Sequence, residues 1–145
     1  MNEKPALNDL LTKATQVQQQ GQFSLAEELY NTIINLYPDN PDALHLLGVT
    51  YSQQSNYQQA IETIQKAIFI NPHPMYYFNL GESYRMSRQF NEAVIYLKKA
   101  LEMAPNFPNI YFSIAKTHLE SGDFISATEN FNKVLELQPG NFRAL

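Results

Sequence analysis

The chain has 145 residues, 44% of them hydrophobic and 17% charged, which is the composition of a folded globular domain and not of a disordered chain. The formal net charge is −4 and the basic residues are scattered, so the sequence predicts no binding to nucleic acid or to an anionic membrane. The absence of cysteine excludes disulfides and thiolate metal sites. With no secretory signal and no apolar run near the roughly 20 residues of a membrane span, we expect a cytoplasmic, non-membrane protein.

Three classes of residue recur along the chain with one shared spacing. Prolines follow one another at intervals of 34, 33 and 34 residues, and the same intervals separate four alanines and four aromatic residues. These residues are Pro38, Pro72, Pro105 and Pro139; Ala26, Ala60, Ala93 and Ala127; and Phe23, Tyr57, Phe90 and Phe124. A shared irregular period indicates internal repeats, and the missing residue lies in the turn before Pro74.

Each repeat is predicted to contain two amphipathic helices, because its apolar residues follow helical spacing. The first helices are expected over residues 7–20, 41–54, 74–87 and 108–121, and the second over residues 23–36, 57–70, 90–103 and 124–137. Short polar turns join the two helices of each pair, which favours antiparallel packing. We predict a single domain, residues 1–145, with repeats at residues 7–40, 41–73, 74–107 and 108–141, and with residues 142–145 beginning a further helix.

The second repeat carries the pattern L-x-x-L-G-x-x-Y from Leu44 to Tyr51. Small and apolar residues continue the pattern through Ala60, Ile64, Ala67 and Pro72, and the third repeat matches it through Tyr77, Leu80, Gly81, Tyr84, Ala93, Leu97, Ala100 and Pro105. This pattern resembles the tetratricopeptide repeat. The resemblance implies an all-α, right-handed α-solenoid of four helix-turn-helix repeats, a non-catalytic protein-protein interaction scaffold whose first helices line a concave groove.

Carrying the groove positions of that family onto this sequence gives a candidate site for a peptide or protein segment. Its residues are Leu11, Thr15, His45, Leu46, Val49, Met75, Phe78, Asn79, Glu82, Arg85, Asn109, Phe112, Lys116 and Leu119. The expected apolar anchors are Phe78, Phe112, Met75, Leu46 and Leu11, with polar groups fixing register. The alternative, that these side chains only contact the adjacent first helix, stays open. The basic clamp with which some family members grip chaperone tails is disfavoured, since only Asn79 matches it.

Residues that could support catalysis are sparse. There is no glycine-rich phosphate loop and no nucleophile motif, and the pair of Asp42 and His45 has no third metal ligand in view. His118 stands where sister repeats carry tyrosine, which favours a packed histidine. We therefore expect no catalytic residues, no metal and no cofactor. Two alternatives to the scaffold remain: repeats that present substrates to a downstream glycosyltransferase or sulfotransferase domain of a bacterial protein, and a homo-oligomer that assembles through the C-terminal end.

Overall fold

The computed structural model describes residues 4–139, which form eight α-helices and no strand. The helices are α1 (Leu7–Gln19), α2 (Phe23–Leu36), α3 (Pro41–Gln53), α4 (Tyr57–Ile70), α5 (Pro74–Met86), α6 (Phe90–Met103), α7 (Pro108–Ser121) and α8 (Phe124–Leu137). Every predicted boundary agrees with the structure to within one residue. The further helix predicted at residues 142–145 lies outside the described residues.

Helix starts are fixed by proline and by capping side chains. Three first helices begin with proline, whose missing N–H and fixed φ suit that position. At α3 the Asn40 side chain accepts a hydrogen bond from Ala43 N at 3.2 Å. At α5 the Nδ1 atom of His73 accepts from Met75 N at 3.1 Å, so this histidine has a capping role.

The turn inside each repeat uses one residue with positive φ. The equivalent positions are Gly21, Ser55, Arg88 and Gly122, with φ of 77°, 64°, 65° and 90°. Glycine adopts this conformation without steric cost, whereas a side chain is strained there. Two of the four repeats therefore place a strained residue at a position where the other two place glycine.

The helices divide into two compact units, with the boundary between Pro72 and His73. Unit 1 contains α1 to α4, and unit 2 contains α5 to α8. In unit 1, Ala14, Ala26, Tyr30, Ile33, Ala43 and Leu47 form a buried cluster. In unit 2 the corresponding cluster consists of Leu97, Ala100, Ile110 and Ile114. The boundary falls in the turn that the sequence shows to be one residue short.

Glycine allows the two helices of a repeat to approach closely. A Cβ atom at Gly81 would lie 2.6 Å from Leu97 Cγ and 3.2 Å from the Ala93 carbonyl oxygen. Gly48 faces Ile64 and Ala60 in the same way. Because atoms cannot pack at such distances, glycine at these two positions sets the spacing of α3 against α4 and of α5 against α6.

Candidate functional site

In unit 1, the candidate residues lie on α1 and α3. Leu11 and Leu46 are half-buried and pack against the buried cluster of that unit. The Thr15 hydroxyl donates to the carbonyl oxygens of Leu11 and Thr12, each at 2.9 Å. His45 and Val49 are also half-buried. Leu11 and Leu46 therefore contribute to packing as well as to the surface of the row.

In unit 2, the candidate row includes two exposed apolar side chains. Met75 is 37% exposed and Leu119 is 47% exposed. Phe78 is half-buried against the unit's buried cluster, and Phe112 is half-buried with its ring edge against Phe131, at 5.7 Å between ring centroids. The row thus combines two aromatic rings held in place by packing with two flexible apolar side chains open to solvent.

Arg85 joins α5 to α7 in unit 2. Its Nε and Nη2 atoms donate to the two carboxylate oxygens of Glu82, each at 3.0 Å, and its Nη1 atom donates to Glu120 Oε1 at 2.6 Å. The hydrogen bonds that Arg85 donates to Glu82 raise the pKa of Arg85, burial opposes this, and the charge of Glu120 adds a smaller increase. Since bidentate pairing with Glu82 on the same helix fixes the guanidinium in one orientation, the Arg85–Glu120 pair forms a strut between the neighbouring first helices α5 and α7.

An equivalent connection joins α1 to α3 in unit 1. Gln18 Nε2 donates to Gln53 Oε1 at 2.9 Å, and the Tyr30 hydroxyl donates to Gln18 Oε1. Gln18 and Arg85 occupy the twelfth position of their repeats, and their partners Gln53 and Glu120 occupy the thirteenth position of the next. Sequence reasoning missed Gln53 and Glu120, although a comparison of these two positions across neighbouring repeats would have found both pairs.

Lys116 lies beside the aromatic part of the row. Its Nζ atom is 5.8 Å from the centre of the Phe112 ring, within the range of a cation–π contact. Asn109 is exposed and Asn79 is half-buried. Apolar anchors with a cation and amide groups beside them are suited to holding a peptide segment in one register.

Groups outside the row have structural partners. The Nδ1 atom of His118 lies 3.6 Å from Asp123 Oδ2, and hydrogen bonds from Ser126 lower the pKa of Asp123, with His118 adding a smaller effect. Within residues 4–139 no three His, Asp or Glu side chains are grouped as metal ligands. In the same part of the chain, no helix has the length and hydrophobicity needed to cross a bilayer.

Several characterised proteins resemble this chain in sequence. It is 26% identical over 125 residues to the BBSome complex member BBS4 of Bos taurus, covering 86% of this chain and 24% of that protein. It is 30% identical over 107 residues to the heat shock protein STI1 of Saccharomyces cerevisiae, covering 68% of this chain and 18% of that protein. It is 28% identical over 124 residues to the human protein O-mannosyl-transferase TMTC1, covering 82% of this chain and 14% of that protein. The chain spans a quarter or less of each.

Solved structures show the same fold. MamA from Desulfovibrio magneticus, residues 41 to the end, superposes with a TM-score of 0.84 at 16% identity, covering 95% of this chain and 78% of that one. The APC/C hetero-tetramer Cut9–Hcn1 superposes with a TM-score of 0.86 at 25% identity, covering 97% of this chain and 29% of that one. The fold is therefore that of an all-α tetratricopeptide repeat solenoid. Tetratricopeptide repeat family models match residues 18–80, 74–107 and 108–141, and the chain belongs to the tetratricopeptide repeat family.

Proposed function

We propose that this chain is a non-catalytic scaffold that binds a protein or peptide segment on its row of first helices. The observation that carries the proposal is the row in unit 2, where Phe78 and Phe112 are fixed by packing while Met75 and Leu119 stay open to solvent. Ordered aromatic rings lose little side-chain entropy when a partner binds, so they are effective anchors.

The fixed strut of Arg85 gives the row a defined polar edge. Because Glu82 and Glu120 already hold the guanidinium, we expect Arg85 to keep the apolar positions in place and not to bind the partner as a free cation. Lys116 remains beside the Phe112 ring and is the cation that we assign to partner contact. The similarity to BBS4 and to the Cut9–Hcn1 assembly, both named as members of protein complexes, supports a role in protein binding.

The test is affinity capture from an extract of the source organism, with the wild type compared with a Met75→Glu, Leu119→Glu variant. Both side chains are exposed, so the variant should stay folded while like charges enter the apolar row. Ile95→Glu with Phe124→Glu is the matched control, since these residues are 53% and 65% exposed in the same unit but lie on second helices. Loss of the captured partner in the first variant alone is expected, and equal capture by both variants would contradict the proposal.

A second reading follows from the similarity to TMTC1, whose name describes a transferase. In that reading these repeats present substrates to an enzyme domain of the same protein. Co-purification of transferase activity with the natural gene product would favour this reading, whereas a product consisting of repeats alone would exclude it.

Two further parts of the proposal, self-assembly into a homo-oligomer and the location of the protein in the cell, have separate tests. A homo-oligomer would show a molar mass that rises with concentration in light scattering, whereas one monomer mass across a dilution series would exclude it. We also propose a cytoplasmic location in a bacterial cell, and the cysteine-free sequence is compatible with a compartment where thiols stay reduced and disulfides are not used. Fractionation of source cells tests this, and recovery in the membrane or secreted fraction would contradict it.

A further inference from the structure

Unit 1 contains an open groove of about 740 Å³ outside the row of first helices. It is lined by Ile34 of α2, Leu44 of α3, and Glu62, Lys66, Phe69 and Ile70 of α4. Phe69 is 92% exposed, although the equivalent residues of the other repeats are polar (Asn35, Glu102 and Glu136). The Phe69 ring is thus exposed to solvent beside an apolar groove, at a position where the fold itself requires no apolar residue.

The third repeat shows which chemical group fits this place. Leu44 is equivalent to Tyr77, whose ring stacks on Tyr96 with 6.4 Å between centroids. Lys99 Nζ lies 5.9 Å from the centre of the Tyr77 ring. Lys66 is equivalent to Lys99, so the second repeat keeps the cation and lacks the ring that the cation covers in the third.

A second ring of the third repeat, that of Tyr96, is also absent from the second repeat. Tyr96 also stacks on Tyr84, with 5.3 Å between centroids and 4° between planes. The residue equivalent to Tyr96 in the second repeat is Thr63, which is small and donates its hydroxyl to the Gln59 carbonyl oxygen at 2.7 Å. The second repeat therefore lacks a ring at both of these positions, and the groove opens on α3 and α4, the helices that carry them.

We propose that this groove binds an aromatic side chain presented by a protein segment. Lys66 would lie over the ring as Lys99 lies over Tyr77, and Phe69 would cover it from the rim. The volume exceeds that of one side chain and lies in the range of ligand pockets, so residues flanking the ring are accommodated along Ile34 and Ile70. The site shares α3 with the row proposed above to bind a partner, but it uses none of that row's side chains and does not depend on that row.

The experiment is selection from a random peptide library on the immobilised wild-type chain. Depletion against a Leu44→Tyr variant removes peptides that bind elsewhere, because the larger tyrosine side chain is expected to occupy the groove from within. Leu25→Tyr is the matched control: it adds the same side chain at a position of α2 that is 40% exposed and outside the groove. Enriched peptides should carry a Tyr, Phe or Trp at one shared position and should bind wild type and Leu25→Tyr equally.

Three further variants keep the proposal falsifiable if Leu44→Tyr does not fold. Lys66→Ala should weaken the selected peptides about tenfold, and Lys66→Arg should preserve their binding, because arginine also covers aromatic faces. Phe69→Ala should weaken binding to a similar degree. Peptides without an aromatic residue, unchanged affinity in Lys66→Ala and Phe69→Ala, or binding of free p-cresol with no peptide enrichment would each overturn the proposal.

Discussion

Replacing Gly81 with alanine tests how closely α5 and α6 pack. The added Cβ would lie 2.6 Å and 2.8 Å from Leu97 Cγ and Cδ2, and Leu97 is 0% exposed. Because Cγ is the branch point of the side chain, a small rotation cannot relieve the contact, so the helices must separate or Leu97 must leave its rotamer. Overpacking of this kind costs about 1–3 kcal/mol. Urea denaturation followed by circular dichroism should show a lower midpoint for Gly81→Ala.

The chain offers its own control for this prediction. In the first and fourth repeats the equivalent position is alanine, Ala14 and Ala115, each 0% exposed. The residues equivalent to Leu97 in those repeats are aromatic, Tyr30 and Phe131. A flat ring can accept a methyl group against its face, whereas a tetrahedral branch point cannot. Alanine therefore occurs with an aromatic residue opposite it, and glycine with a branched aliphatic one.

A double-mutant cycle separates this explanation from general loosening of the core. Leu97→Phe alone should destabilise unit 2, but in the Gly81→Ala background it should recover part of the loss, giving a coupling of about 0.5–3 kcal/mol. An unchanged midpoint in Gly81→Ala would refute the close approach of the two helices. Strictly additive losses in the double variant would refute the pairing of alanine with a ring.

Four further substitutions have defined outcomes. Ser55→Gly should raise the free energy of unfolding by about 0.5–1 kcal/mol in urea titration, because glycine removes the strain of positive φ. Arg85→Met should lower it by about 1–3 kcal/mol by leaving two carboxylates unpaired, whereas Lys133→Ala, which breaks an exposed pair, should change it by less than about 0.5 kcal/mol. The pKa of Asp123 is below its ordinary 3.8, so its stabilising effect is complete above that pH and is lost as the pH falls through the lowered value. Asp123→Asn should therefore weaken the loss of thermal stability below about pH 4.

The fold could be predicted because its determinants are local and repeated. Proline at the start of a first helix, a small residue at the close approach and a polar turn recur in register, and each acts on its neighbours within one helix pair. The helix boundaries followed to within one residue. Positive φ at Ser55 and Arg88 could not be inferred from residue type, but the glycines at the equivalent positions indicate it.

The candidate row was less predictable because its contacts join one repeat to the next. Arg85 follows Glu82 by one helical turn, so that pair is visible in the sequence. Its second partner, Glu120, lies 35 residues away, and no periodicity of one helix reveals it. The role of His73 as a helix cap was also missed, because histidine is a less common capping residue than Asn, Asp, Ser or Thr.

Within a repeat array, the equivalent buried position of a sister repeat is a better guide to function than exposure alone. Exposed apolar residues occur on several second helices, including Ile95 and Phe124, and exposure gives no reason to prefer one of them. Leu44 differs because its tyrosine counterpart in the third repeat lies under a lysine, and the second repeat keeps that lysine as Lys66. The second repeat keeps the lysine but has no tyrosine beside it, so the space next to Lys66 is suited to an aromatic ring. This is why the groove of unit 1, and not the most exposed side chain by itself, carries a specific prediction about what binds there.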